Sequence, residues 1–438
     1  MRGYSVVGQL YQTLTHFFPD LFEQLRAIED CRTRSDYELA ELIMAGITLF
    51  VFKQGSRNAF NNQRQEHRFR SHYRKLFKLR LPHLDTVDAV LRRLPDQALE
   101  QLKQRMIQAL LEKKVLHKYR LFKRWFVVAI DGTGVMSFTH QPCDQCLSKR
   151  SKTGKMTYFH HVLEAKLITA NGFSISIATE WIENPEGEYD KQDCEIKAFK
   201  RLAAKLKQRY PRLPICIAAD GLYPNQGFFE QCRLNDWRYI VTFKEGNLPT
   251  VWEEVHALQA LAPNNPHTYR RVEGQVEILE QLSWLNAMDY HTHRLNWSEC
   301  LETTTNTQTG ESRCTRFVHL TDLLIDSTTA RTISRAGRLR WKIENEGFNT
   351  QKNHGYGLQH KFSRVSWQAA KNYYQCLQIG HLINQLMVLS TAFQQHLTGK
   401  MTLAPLWKCL LGVLTYGELD EYTFAQLSQR RIQIRFVT

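Results

Sequence analysis

The chain has 438 residues, 43% of them hydrophobic, which excludes a disordered protein and exceeds one ordinary domain, so two or three packed units are expected. Lysine and arginine number 58 against 43 aspartates and glutamates, and a formal charge of +15 attracts polyanions, with nucleic acid the natural partner. The first residues lack the apolar stretch of a secretion signal, the apolar run 42–52 falls short of the ~20 residues of a membrane span, and the cysteines need no disulfide framework in a reducing compartment. A cytoplasmic protein with no membrane partner is expected, nucleoid-associated when bound to DNA.

Apolar positions three and four apart in 36–52 and 87–111 predict an all-α N-terminal DNA-binding domain over 1–120. Between those helices, residues 64–80 alternate cations with aromatics. Arg68, Arg70, Arg74 and Lys75 are the candidate phosphate contacts there, against the plainer reading of a solvated helix face. From residue 125 the pattern turns to strands at 125–131, 157–169 and 173–180, the last two joined by the Asn171-Gly172 turn. A helix at 194–209, a strand at 213–219, a helix at 226–234 and a strand at 237–243 follow. That order is the order of a ribonuclease-H-like mixed sheet, in which the first and fourth strands run parallel side by side. The α/β catalytic domain is assigned to 121–365, with a β-rich insertion at about 246–325, and a helical C-terminal region to 366–438, led by a long helix at 367–397.

Three carboxylates stand at recognisable places in this pattern. Asp131 ends the apolar run 125–130, Asp220 ends 213–219, and Glu344 lies in Arg340-Trp-Lys-Ile-Glu-Asn-Glu346, which reads as helix. Two aspartates at neighbouring strand ends and a helical glutamate can hold two divalent ions for phosphodiester chemistry, and oxygen ligands suit Mg²⁺ or Mn²⁺. Glu344 and Glu346 point roughly 200° apart on a helix, so only one faces the aspartates. Taking Trp341 and Phe348 as the buried face selects Glu344 and leaves Glu346 in solvent, with Arg340 one turn earlier to hold a phosphate or orient a carboxylate. Lys149, Arg150 and Lys152 fall in a basic loop between the first two strands, placed to meet DNA. Cys143 and Cys146 in that loop have knuckle spacing but no second pair to complete a zinc site. Asp193 reads as a cap on the helix after it, and nothing distinguishes Glu164, Glu180 and Glu183.

With Asp131-Gly-Thr and Ala219-Asp-Gly-Leu-Tyr upstream, the segment 340–352 resembles bacterial insertion-sequence transposases of the DDE type that carry a β-strand insertion in a ribonuclease-H-like core. The resemblance spans roughly 125–360. Arg340 and Glu344 match that family's tyrosine, arginine, glutamate, lysine signature, whereas Gly337 stands in the tyrosine's place and Lys352 lies one residue late, with Gln351 at the usual spot. The resemblance implies an enzyme that cuts double-stranded DNA at terminal inverted repeats and joins the 3′ ends to target DNA, working as a homodimer on paired ends. It also implies two Mg²⁺ or Mn²⁺ ions on Asp131, Asp220 and Glu344, with Arg340 and Lys352 on DNA. A tryptophan of the insertion serves a hairpin intermediate in some relatives; Trp284 and Trp297 are the candidates, and core aromatics are the expected reading. The alternatives are a domesticated, catalytically silent DNA-binding protein and a metal-dependent nuclease that cuts without joining.

Overall fold

In the computed structural model, which describes residues 2–185, 187, 189–261, 266–429 and 434–437, the chain opens in helices. These are α1 (Arg2–Phe17), α2 (Leu21–Arg26), α3 (Leu39–Val51), α4 (Arg57–Gln65), α5 (His67–Phe77), α6 (Leu84–Leu91) and α7 (Asp96–Glu112). α3 is apolar on every side and buried along its whole length, so it forms the centre of a helical layer and not an amphipathic surface helix.

The sheet begins with β1 (Phe126–Phe138), β2 (Leu147–Arg150), β3 (Met156–Ile168) and β4 (Ser174–Ile182). α8 (Glu195–Arg209), β5 (Ile215–Ala219), α9 (Gln226–Leu234) and β6 (Arg238–Thr242) follow. β3 lies antiparallel to both β1 and β4, while β5 runs parallel to β1 and β6 parallel to β5. β5 is buried at every residue, as expected of a parallel strand covered on both faces. Two local differences from the sequence reading trace to β3. β1 does not end at Asp131 but continues to Phe138, because β3 keeps pairing with it up to Phe138↔Tyr158. The loop expected between the first strands contains β2, which joins the edge of β3 where β4 leaves off.

α10 (Pro249–Leu261) leads into β7 (His267–Glu273), β8 (Val276–Tyr290), β9 (His293–Asn306) and β10 (Ser312–Thr321). The insertion is β-rich as expected, but its strands are longer than the sequence runs and do not stand apart. β10 pairs antiparallel with β6 through His319↔Thr242, so the insertion continues the main sheet to ten strands. α11 (Ala330–Arg338), a π-helical segment (Ile343–Asn349), α12 (Thr350–Asn353) and α13 (Trp367–Val388) come next. α13 ends earlier than the expected 397 and is followed by α14 (Thr391–Gln394), α15 (Leu403–Tyr416) and α16 (Glu421–Gln429). α13 packs on α3 and α7, and α15 on α1 and α5, so the first and last helical regions are in contact with each other. Among the described residues no helix is long and apolar enough to cross a membrane.

α7 is tied to the sheet by Glu100, whose Oε1 accepts from the Thr179 amide at 3.0 Å and from Arg209 at 2.6 Å. Burial alone raises this carboxyl, but the Arg209 hydrogen bond and the charges of Lys103, Lys205 and Arg209 bring it down to about 2. A lowered carboxyl contributes stability that is complete above its unfolded value, near 4.5, and is lost as pH falls through the folded one. Glu100→Gln should therefore cost ~3 kcal/mol near neutral pH by leaving Arg209 without its partner. The gap to wild type in thermal unfolding should narrow as pH falls from 4.5 towards 2. A gap that does not change with pH would show that the charge of Glu100 contributes nothing.

Candidate active site

The pairing of β1 with β5 ends at Ala129↔Ala218, and two residues further along each chain stand Asp131 and Asp220. Equal displacement along parallel, in-register strands puts both side chains on one face of the sheet, on backbones ~4.8 Å apart. Asp220 opens a turn: its Oδ1 accepts from the Leu222 amide at 2.9 Å and its backbone carbonyl from the Tyr223 amide at 3.2 Å. Asp131 Oδ1 accepts from the Gly132 amide at 3.0 Å, and its Oδ2 lies 3.5 Å from Arg340 Nη1. Burial pushes the Asp131 carboxyl up to about 7; Arg340 opposes that rise, while the charges of Glu195 and Asp220 add to it.

Both aspartates precede a glycine, and in each case the reason is steric. A Cβ on Gly132 would stand 2.9 Å from Glu195 Oε2, and one on Gly221 would stand 2.8 Å from Lys244 Cδ. Glu195, the first residue of α8, thus comes up against β1 beside Asp131. Tyr223, fully buried, donates its hydroxyl to Glu195 Oε1 at 2.7 Å. Burial raises the Glu195 carboxyl, the Tyr223 bond opposes this, and the charge of Asp220 adds to it. The sequence reading missed Glu195 and gave Tyr223 no role; the available signal was the glycine after Asp131, which marks a close approach. Asp193 is not the cap expected for α8, since Cys194 holds that position. Asp193 instead accepts from the Glu183 amide at 3.2 Å and pairs with Arg201 at 2.6 Å. Glu164 lies directly opposite Asp131 on β3 but is fully buried and accepts from the Thr179 hydroxyl at 2.6 Å.

Glu344 lies outside this group. It is exposed, and among the described residues its side chain makes no hydrogen bond or ion pair. The expected buried face also differs: Trp341 is 51% exposed with its ring on the Arg340 guanidinium, 4.4 Å away, while Ile343, Gly347 and Phe348 are buried. Uniform α-helical spacing fails here for a definite reason. Arg340 and Ile343 donate to carbonyls three residues back, which tightens the helix, and 343–349 then widens into a π-helix, so the angular phase shifts along the segment. Glu346, expected in solvent, is half-buried and paired with Lys342. Arg340 is almost wholly buried and orients towards Asp131, one of the two roles expected for it. Among the described residues, no three histidine, cysteine, aspartate or glutamate side chains are gathered closely enough to hold a metal ion.

The two departures from the signature have structural causes. A Cβ on Gly337 would collide with the ring of His319, so no side chain fits at that place. Gln351 is fully buried and donates to Gln378 at 2.9 Å, while Lys352 is half-buried and its charge acts on His161. Of the other candidate DNA contacts, Lys149, Arg150 and Lys152 are exposed on and beside β2, as is Arg74 on α5. Three cations of α5 spend donors on backbone carbonyls: Arg68 on Tyr416, Arg70 on Arg64 and Lys75 on Leu419, at 2.8, 3.2 and 2.5 Å. Cys143 Sγ lies 3.5 Å from His160 Nε2, and Cys146 Sγ donates to the Cys143 carbonyl at 3.0 Å. Trp297 is fully buried and Trp284 packs against the core, the places expected of core aromatics.

The chain is a mixed α/β protein with one large mixed sheet and helices at both ends. No protein-family model matches it, and no curated protein matches it.

Asp131 holds a proton in the folded state that it gives up when unfolded, because its carboxyl is raised from 3.8 to about 7. Stability must then fall as pH rises from about 4 to 7, by roughly 1.4 kcal/mol per unit at most. Asp131→Asn should remove that fall. Its melting temperature should exceed that of wild type at pH 8 and converge with it below pH 4, as followed by circular dichroism; parallel profiles would refute the raised carboxyl.

Proposed function

We propose that this chain is a metal-dependent DNA-processing enzyme, a transposase of the DDE type that cleaves at the ends of its element and transfers the 3′ ends to target DNA. The observation that carries the reading is the placing of Asp131 and Asp220 side by side on adjacent parallel strands, with Arg340 brought against Asp131. The strand order β4-β3-β1-β5-β6, with β3 alone antiparallel to its neighbours, supports a ribonuclease-H-like core. A charge of +15 suits a polyanionic substrate.

The donor set fits Mg²⁺ or Mn²⁺: hard carboxylate oxygens on a rigid sheet, raised in pKa by one another, and a glycine where a Cβ would fill the space beside Asp131. When bound, such ions activate a water or 3′-hydroxyl and stabilise the leaving oxygen. Asp131 and Asp220 hold oxygens at fixed positions. Arg340, freed from Asp131 by a competing cation, is placed to take a phosphate oxygen. Glu344 joins them in this reading by rotation of the π-helical turn, a geometry that reverts to α-helix by moving one residue of register. A second reading, a DNA-binding protein without catalysis, is favoured by the exposure of Glu344 and by the Arg340 contact on Asp131.

Labelled duplexes from the DNA flanking this chain's own coding sequence test both. With Mg²⁺ or Mn²⁺, wild type should cleave them and join the 3′ ends to a second duplex, while Asp131→Asn, Asp220→Asn and Glu344→Gln lose at least 100-fold in rate with binding kept. Binding without cleavage under either metal supports the non-catalytic protein, and cleavage without joining supports a nuclease.

A further inference from the structure

We propose that Glu195 is a working member of the cation-holding carboxylate set with Asp131 and Asp220, and that Tyr223 is the positioning residue that holds it there. This rests on the reading of the site as cation-binding. Three independent features of the packing lead to it. First, Gly132 leaves room for one thing only on that side of β1, the Glu195 carboxylate, with 2.9 Å between Oε2 and the place a Cβ would occupy. Second, the one hydrogen bond that fixes Glu195 comes from a tyrosine with no exposed surface, 2.7 Å away. Tyr223 is itself fixed by edge contacts to Phe199 and Phe228 and by its amide bond to Asp220. The same short turn therefore sets the positions of Asp220 and Glu195. Third, no lysine or arginine pairs with Glu195, whereas the other well-buried carboxylates at this end of the sheet, Glu180 and Asp193, are paired with Arg201.

A purely structural role makes different demands. An acidic residue in the first turn of a helix stabilises it through the helix dipole, and the hydrogen bond to Tyr223 would add to that. Neither benefit requires the carboxylate to lie against β1 between two aspartates, where like charges repel. An arrangement that is costly without a cation and relieved by one is the pattern of a binding site, and it separates the two roles experimentally.

The probe is Mn²⁺ alone, with free Mn²⁺ measured by electron paramagnetic resonance and the melting temperature followed with and without the ion. Wild type should bind Mn²⁺ and melt higher with it, and Asp131→Asn should lose both effects. Glu195→Gln should weaken Mn²⁺ at least tenfold, yet without the ion it should melt at or above wild type. Tyr223→Phe, which keeps the carboxylate but frees it, should weaken Mn²⁺ by a smaller factor, about two- to fivefold. If Glu195→Gln does not fold, Gly132→Ala carries the test, because its methyl group displaces the carboxylate without changing the charge, and it too should weaken Mn²⁺ at least tenfold. Wild-type affinity in Glu195→Gln or Gly132→Ala, alongside a loss in Asp131→Asn, overturns the role of Glu195 and leaves the two-aspartate site standing. A wild type that binds no Mn²⁺ overturns both. A metal-free Glu195→Gln that melts well below wild type, with Mn²⁺ affinity kept, assigns the residue to the structural role.

Discussion

The parallel pairing of β1 with β5 is the constraint on which the site depends. Five consecutive buried residues, Ile215–Ala219, leave β5 no freedom to slip, because a shift of one residue would turn its apolar side chains onto the other face and carry Asp220 with them. β1 is held from its other side by β3, in register from Val128↔Leu167 through Thr133↔Val162. Asp131 is therefore fixed on a strand paired on both sides just behind it, and Asp220 on the first free residue after the other. Two carboxylates brought this close without a cation repel, and the raised Asp131 carboxyl expresses that cost. Stability is given up locally at a point that the surrounding sheet can hold in place.

A second buried polar seam shows how the helical layer is locked to the same sheet. Lys103 of α7 donates to Ser176 and Thr179 at 2.7 and 2.9 Å, and the Thr179 hydroxyl passes the chain on to Glu164. Lys166, held down to about 8 by burial, donates to Gln378 of α13 at 3.0 Å, and Gln351 reaches the same oxygen. Buried cations are tolerable only when every donor is met, so these bonds specify how α7, α12 and α13 sit on β3 and β4 more sharply than apolar contacts alone. The seam runs one residue from the site, since Glu164 is the cross-strand neighbour of Asp131.

What was legible in the sequence was what local pattern encodes. The buried run of β5, the amphipathic α8 and α9, and the turn between β3 and β4 follow from apolar spacing and turn chemistry, and with them the adjacency of Asp131 and Asp220. What was not legible depends on partners distant in the chain. β1 continues past Asp131 only because β3 is there to pair with it, and β2 forms only where β4 stops. The face of the helix at 340–349 could not be read from uniform spacing, because the backbone passes from a tight turn to a π-helix. Glu195 had no signal of its own; only Gly132, some sixty residues away, marks where it lands.

The fusion of the insertion with the main sheet gives it a mechanical part in the site. Glu280 on β8 is almost fully buried and faces four guanidiniums: Arg331 at 2.7 Å, Arg271 at 3.0 Å, and Arg335 and Arg338 at 3.2 Å. Three of these arginines lie on one face of α11 at helical spacing, so a single carboxylate of the insertion grips the helix along its length. α11 ends two residues before Arg340, and Arg340 is the cation against Asp131. Any tilt of the insertion is therefore passed through Glu280 and α11 to the guanidinium at the site. Phosphates arriving near α11 would compete with Glu280 for the same arginines, since one carboxylate cannot neutralise four of them even with Glu302 sharing Arg338. DNA contact at the insertion and the placing of Arg340 on Asp131 are on this geometry a single coupled event.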